Sequence, residues 1–529
     1  MINIEALSFK YPNISQYALE NVDCQIEPGT LTLIIGPSGS GKSTFLRCIN
    51  GLVPHFSGGT ISGKIDVFGS DPITDGPETL AANVGFVFQE PEAQFVFDIV
   101  EDEIAFSLEN MGVPRTEMHA RVDDIIERLE LSSIRHRSIH EISGGEKQKV
   151  AIASVLVTNP KVLLLDEPTS QLDPISANQI LKLCVHLKNN SDLTIMISEH
   201  RLERLLPYTD KVIEINDEHK LFIGSPEQII PHLQNVPPVV AIGKKLGLNP
   251  LPLTVEGFPD NVINNKKPGA KLVLPVLQET NSEPILEIKH LSAQINQKAI
   301  LDDISFNLKQ SEILVLLGKN GSGKTSLLRS ILGLMVSMGE KYFKGQNFTD
   351  LPITRILDQI GYLPQNPSDL LFAETILDEL KITLKNHGLE KTDQDLIDFL
   401  QQFNLAEKSH QYPRDLSVGE RQRIALAAIT VHDPDIIFLD EPTRGLDYAA
   451  KDLLSMLFKD WRDSGKGILL ITHDVEFAAD LADRVTILEG GKIIFTGSPS
   501  AAFSQFPAFQ TQTARLFNAF GWILPEQVS

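Results

Sequence analysis

Two short apolar runs, Thr30 to Ile35 and Ile313 to Leu317, each end at a glycine and read as buried strands. Helix-compatible sequence follows each within a few residues, TFLRCI in one place and SLLRSI in the other. VLLLD, ending at Asp166, and IIFLD, ending at Asp440, are further apolar strands, each closed by an acid. No apolar run approaches the ~20 residues that a membrane-crossing helix needs. Between His232 and Glu283, prolines at 237, 238, 250, 252, 259, 268 and 275 exclude long helices and central strands. One short helix is predicted there, over Val239 to Leu246 before Gly247, ahead of the polar stretch Asn261 to Lys267. A second is predicted from Thr511 to Phe520, ending before Gly521, with Phe517 and Phe520 as packing residues.

The chain is one pattern written twice. GPSGSGKS recurs as GKNGSGKT, FQEP as PQNP, ISGGEKQ as LSVGERQ, and LLLDEPTSQLD as IFLDEPTRGLD. Lys42, Gln89, Ser143, Asp166 and His200 thus recur in the same order as Lys324, Gln365, Ser417, Asp440 and His473, and the separation drifts by nine residues over the five. This predicts two tandem α/β domains of one fold, over 1–231 and 284–500. An appended element and proline-rich linker fills 232–283, and a C-terminal appended element fills 501–529.

The chemistry lies in the repeated motifs. Strand, G-x-x-x-x-G-K-[ST] and helix form a phosphate-binding loop. Its glycines turn backbone N–H groups toward phosphate oxygens, beside the positive end of a helix. The first copy is Gly36, Pro37, Ser38, Gly39, Ser40, Gly41, Lys42, Ser43 and Thr44. The second is Gly318, Lys319, Asn320, Gly321, Ser322, Gly323, Lys324, Thr325 and Ser326. The lysines should reach the β- and γ-phosphates, and Ser43 and Thr325 should bind Mg²⁺. An acid at the tip of a buried strand needs a role, and Mg²⁺ bound through water supplies one for Asp166 and Asp440. The next residues, Glu167 and Glu441, are placed to polarise an attacking water as general bases.

Taken together in this order, these motifs resemble the ATP-binding cassette ATPases, over roughly 1–230 and 284–500. The resemblance implies two tandem P-loop cassettes, each a RecA-like core with a helical subdomain, packed head to tail around two ATP molecules. One site would then join the first phosphate loop, Gln89, Asp166, Glu167 and His200 to Ser417, Gly419 and Glu420. The other would join the second loop, Gln365, Asp440, Glu441 and His473 to Ser143, Gly144, Gly145 and Glu146. Gln89 and Gln365 would help hold Mg²⁺, and the two histidines would contact the γ-phosphate. The family stacks adenine on an aromatic residue upstream of the loop. Tyr11 holds that place in the first half, but Ile295 in the second. The second signature also carries Val418 where the first has Gly144, which stiffens that cradle or costs a close approach.

Composition narrows the class. A content of 42% hydrophobic and 22% charged residues describes a globular protein. The net charge of −22 disfavours nucleic acid as the main ligand, since phosphate neutralisation supplies most of such affinity. Cys24, Cys48 and Cys184 have no metal-ligand spacing and read as reduced core thiols. The N-terminus, MINIEALSFK, lacks the basic-then-apolar pattern of a signal peptide. The stretch FQEPEAQFVFDIVEDEIAFSLENMGV from Phe88 and its counterpart PQNPSDLLFAETILDELKITLKNHGL from Pro364 resemble the ATPases of energy-coupling factor importers. These take up vitamins or transition-metal ions. That resemblance implies a transmembrane coupling subunit, a substrate-binding membrane subunit and a peripheral place on the cytoplasmic face of the membrane. A conventional twin-cassette importer and a cytosolic ATPase acting on ribosomes or DNA are the alternatives. Acids recur at matched places in this stretch, Asp102 and Glu103 against Asp378 and Glu379, where a helix should begin.

Overall fold

The computed structural model describes residues 1–528 apart from 217, 266–282 and 350–356; the linker prolines 268 and 275 lie outside the described residues. The chain divides into two units. Unit 1 comprises Met1–Pro237 with Gly247–Thr254, and unit 2 comprises Pro238–Leu246 with Val255–Ser529.

The strands of unit 1 are β1 (Ile2–Lys10), β2 (Leu19–Ile26), β3 (Leu31–Ile35), β4 (Thr60–Val67), β5 (Val84–Val87), β6 (Val162–Asp166), β7 (Thr194–Ser198), β8 (Lys211–Ile215) and β9 (Leu221–Gly224). Six form one sheet in the order β5-β6-β7-β3-β8-β9, parallel except for the last pair. Every residue of β3, β6 and β7 is buried, as a parallel sheet covered on both faces requires, so these strands read as unbroken apolar runs. A smaller antiparallel sheet, β2-β1-β4, alternates buried and outward positions.

Unit 2 repeats the plan with β10 (Pro284–Ile295), β11 (Lys298–Lys309), β12 (Glu312–Leu317), β13 (Ser337–Phe343), β14 (Gln346–Asn347), β15 (Ile360–Leu363), β16 (Ile436–Asp440), β17 (Gly467–Ile471), β18 (Arg484–Glu489) and β19 (Lys492–Gly497). Its sheets run β15-β16-β17-β12-β18-β19 and β11-β10-β13-β14. Switching between neighbouring strands that are not consecutive in sequence puts β3 and β12 at the centre of their sheets. A crevice opens beyond the carboxyl ends of such strands, which is where open α/β sheets hold ligands.

The short helix Pro238–Lys245 belongs to unit 2, not to the cassette it follows. Its Val239, Val240 and Ile242 are buried. The Val239 N–H donates to Gln512 Oε1 at 3.1 Å, and Lys245 Nζ donates to the Glu526 carbonyl at 2.9 Å. The C-terminal helix is Gln512–Phe517, tightened into a 3₁₀ turn over Asn518–Phe520 before left-handed Gly521. The linker also holds a helix that the proline count concealed, Asp260–Asn265. All three cysteines are free and buried. Among the described residues no helix is long and apolar enough to cross a membrane.

Candidate active sites

Each phosphate loop closes β3 or β12 and opens a helix. Gly41 sits at φ +106°, and an added Cβ would lie 2.4 Å from the Ala18 carbonyl oxygen, so only glycine fits. The helix Lys42–Ile49 starts there without a side-chain cap, which leaves its first N–H groups for an anion. Gly323, at φ +104°, repeats this ahead of Lys324–Ile331. Lys42 Nζ donates to the carbonyls of Gly36 and Pro37, both at 2.9 Å. Lys324 Nζ donates to those of Gly318 at 2.8 Å and Lys319 at 3.1 Å. Burial pulls the Lys324 ammonium below its ordinary pKa, with Glu441 and Asp440 opposing. Ser38, Gly39, Asn320 and Gly321 are exposed, whereas Ser40, Thr44 and Ser322 are buried. The Tyr11 hydroxyl lies 3.1 Å from Thr44 Oγ1, while Ile295 is exposed.

Asp166 and Asp440 end β6 and β16 and are 1% exposed. Burial raises both carboxyls; at Asp166 the Ser43 hydrogen bond opposes this and the Glu167 charge adds to it. Ser43 Oγ donates to Asp166 Oδ1 at 2.9 Å, and Thr325 Oγ1 to Asp440 Oδ2 at 2.8 Å. A hydroxyl beside a desolvated carboxylate is an oxygen set that suits a hard cation such as Mg²⁺.

Glu167 and Glu441 follow with φ of 45° and 56°. A left-handed glutamate is strained by about 1–3 kcal/mol, and such strain clusters at functional sites. Glu167 Oε1 lies 2.7 Å from His200 Nε2, and Oε2 accepts from Gln89 Nε2 at 2.8 Å. Glu441 Oε1 lies 3.2 Å from His473 Nε2, and Oε2 accepts from the His473 N–H at 3.0 Å. The histidine side chains differ in exposure, 9% for His200 against 23% for His473. Gln89 is half-buried and Gln365 exposed. Aspartate, glutamate, histidine and phosphate loop therefore converge within each unit.

The signature residues start helices. Ser143 caps Gly144–Leu156 and Ser417 caps Val418–Thr430, each closed reciprocally by Glu146 or Glu420. Ser143 and Ser417 are exposed at these helix starts. Glu146 and Glu420 accept from their serine's N–H and Oγ, so they shape the turn. A Cβ at Gly144 would meet only Leu172 Cδ2, at 3.5 Å, which is ordinary contact. A side chain at that position would thus meet no obstacle within the first unit. Gly145 is the tight position, since an added Cβ would lie 2.9 Å from Ser176 Cβ.

The acids after each glutamine separate by burial. Glu103 and Glu379 are 4% and 3% exposed. One oxygen of Glu103 accepts from the Val96 and Phe97 N–H groups, both at 2.8 Å, and one of Glu379 from those of Phe372 and Ala373 at 2.8 and 2.9 Å. They clamp a loop that presents exposed Val96 and Phe372. Asp102 and Asp378 are exposed, and Asp378 accepts from Thr375 Oγ1 at 2.7 Å. Two polar residues behind the first site escaped sequence reasoning. Ser198 and Glu199 follow the buried run TIMI, and polar residues ending such a strand were the available signal.

A model of the family described as ABC transporter matches residues 19–170 and 301–444. A candidate ABC transporter ATP-binding protein of Streptomyces avermitilis is 35% identical, covering 100% of this chain and 99% of its own. A candidate HMP/thiamine import ATP-binding protein of Bacillus subtilis is 32% identical, covering 96% and 93%. Among solved structures, cbiO1 from Clostridium perfringens, part of the ABC transporter complex cbiONQ, is 32% identical over 44% of this chain and 90% of its own, with a TM-score of 0.40.

Proposed function

Because this chain belongs to the ABC transporter family of ATP-binding, ATP-hydrolysing proteins, we propose that it is the twin-cassette motor of an energy-coupling factor importer for a vitamin or a transition-metal ion. The observation that carries the motor reading is the doubled constellation of lysine, acid, strained glutamate and histidine, intact in both units. Glu167 and Glu441 take a proton from the attacking water, and His200 and His473 hold these bases and contact the γ-phosphate. The phosphate-loop N–H groups and Lys42 or Lys324 bind the β- and γ-phosphates. Ser43, Asp166 and Gln89, or Thr325, Asp440 and Gln365, would hold Mg²⁺, which would supply neutralisation of charge on the phosphates. Each loop works with the other half's signature, Ser417 and Gly419 or Ser143, Gly144 and Gly145. ATP then draws the halves together and hydrolysis releases them.

The importer branch is supported by the matched stretch after each glutamine. In both units a buried glutamate fixes a loop with an apolar tip, beside the exposed acids Asp102 or Asp378. That surface suits a basic, partly apolar helix of a membrane subunit, because opposite charge steers and orients docking. The import name of the Bacillus subtilis relative agrees with this branch. The chain would sit peripherally on the cytoplasmic face, bound to a transmembrane coupling subunit and a substrate-binding subunit. Purification of the tagged chain from detergent-solubilised membranes, with identification of what accompanies it, tests this. Two small membrane proteins of those kinds are the expected result. Recovery with ribosomes or DNA would overturn the transporter reading, and recovery with a conventional pair of permease subunits would overturn the branch.

A further inference from the structure

The hydrolysis loop of the first unit is held from behind by a carboxyl that the reading above does not use. Glu199 lies between the end of β7 and His200 and is 3% exposed. Its Oε1 accepts from the Thr169 N–H at 3.1 Å and from Thr169 Oγ1 at 2.5 Å. Its own N–H donates to the Ile34 carbonyl near the end of β3, so its backbone is tied to the strand that delivers the phosphate loop. Burial pushes this carboxyl up, and the Glu167 charge adds to that. A group so costly to bury stays only where its bonds are used.

Its neighbours act on the same loop. Ser198 Oγ donates to Asp166 Oδ1 at 2.8 Å and accepts from the Glu167 N–H at 2.9 Å. Ser198, Glu199 and His200 thus grip Asp166, Glu167 and Thr169. In the second unit Ile471, Thr472 and His473 stand in those places. The Ile471 carbonyl accepts from the Glu441 N–H at 2.9 Å, but the side chain carries no hydroxyl. Thr472 Oγ1 lies 3.4 Å from Thr443 Oγ1, beyond the usual range for two hydroxyls.

We propose that Glu199 is a positioning residue for Glu167, and that its grip on Thr169 makes the first site hydrolyse ATP faster than the second. Rate depends steeply on where a base is held, and misplacement by about 1 Å costs on the order of 100-fold. The proposal rests on Glu167 and Glu441 being the bases, as read above.

Each site is read alone by silencing the other in the full chain. Glu441→Gln leaves the first site, and Glu167→Gln leaves the second. In these backgrounds the first site should show the higher kcat. Glu199→Thr, the residue of the second unit, should lower first-site kcat roughly 10-fold and leave KM for ATP within about two-fold. Glu199→Gln, whose amide oxygen can accept both Thr169 bonds, should recover most of the lost rate. An unchanged kcat in Glu199→Thr, a Gln variant as slow as the Thr variant, or a faster second site would each overturn the proposal. Should Glu199→Thr fail to fold by its melting curve, Glu199→Asp carries the same test, being too short to reach Thr169. A Glu167→Gln, Glu441→Gln double variant that still hydrolyses ATP normally would mean the base assignment is wrong, a separate failure.

Discussion

The two cassettes repeat the same groups around their phosphate loops and differ in what stands behind them. Both have a lysine folded onto its own loop, a buried acid bonded to the loop hydroxyl and a left-handed glutamate beside a histidine. The supports diverge. In the first unit His219 Nδ1 lies 3.0 Å from the Ser40 carbonyl, bracing the phosphate loop with a side chain. In the second the backbone N–H of Gly491 braces Ser322 at 3.2 Å. The first unit holds the loop after β6 through a serine and a buried glutamate, and the second holds its counterpart through the isoleucine carbonyl. The groups around each loop are thus repeated, while different local solutions hold them in place.

The largest expected effect breaks both sites at once. Glu167→Gln with Glu441→Gln should lower steady-state phosphate release by about 100-fold or more. Either single variant should lose less, because its intact site still turns over.

The next comparison should show equality. Glu103→Ala and Glu379→Ala each strip two backbone N–H groups of a charged acceptor, a loss of about 3 kcal/mol. Thermal melting should fall alike for both, with faster amide exchange at Val96 and Phe97 or at Phe372 and Ala373. A large effect in one unit and none in the other would show that the matched clamps are not equivalent.

A smaller effect belongs to the second unit. His432 stacks on His387 with ring centroids 3.9 Å apart, and Asp358 holds His387 Nδ1 at 2.7 Å. Burial first, and the neighbouring His387 second, push the His432 imidazole down to about 4; Asp358 and Asp433 oppose this and Lys466 adds to it. The unfolded chain therefore binds the extra proton as pH falls from ~6.5 toward ~4, and stability is lost through that window. Half-burial trims the effect to about 1–2 kcal/mol. Melting curves from pH 7 to pH 4.5 should show the loss, and His432→Thr should flatten it.

The smallest effect concerns adenine. Tyr11 offers a ring worth about 0.5–1.5 kcal/mol beyond burial, whereas Ile295 offers aliphatic contact. ATP should bind several-fold more tightly to Lys324→Ala, which keeps the first loop, than to Lys42→Ala. Equal affinities in a direct titration would remove this difference between the cassettes.

What sequence makes legible here is whatever depends on neighbours in the chain. The phosphate loops, the acid-tipped strands and the helices starting at Ser143 and Ser417 are local patterns, and the sheets could be centred on them. Glu103 was half-legible. Val100, Ile104 and Leu108 mark a buried helix face, and Glu103 falls on it while Asp102 does not. Motif reading weighed the two acids alike because it ignored that spacing. Glu199 was hidden because its burial comes from β3 and the Thr169 loop, which are distant in sequence. The small antiparallel sheets escaped for a related reason. In both, the first strand slips register, between Glu5 and Ser8 and between Lys289 and Ser292, which blurs the alternation of a half-buried strand.

The helix Pro238–Lys245 has a consequence for how such a chain could be divided. Polypeptide passes from unit 1 to unit 2 at residue 238, returns at 247 and leaves again at 255. A gene split ahead of 238 would strand Gly247–Thr254 on the wrong product. A split after 254 would deprive the other product of Val239, Val240 and Ile242, opening the apolar ground beneath the C-terminal helix. No single break at these crossings yields two complete folding units, so fission of this gene would need a second event to redraw the border.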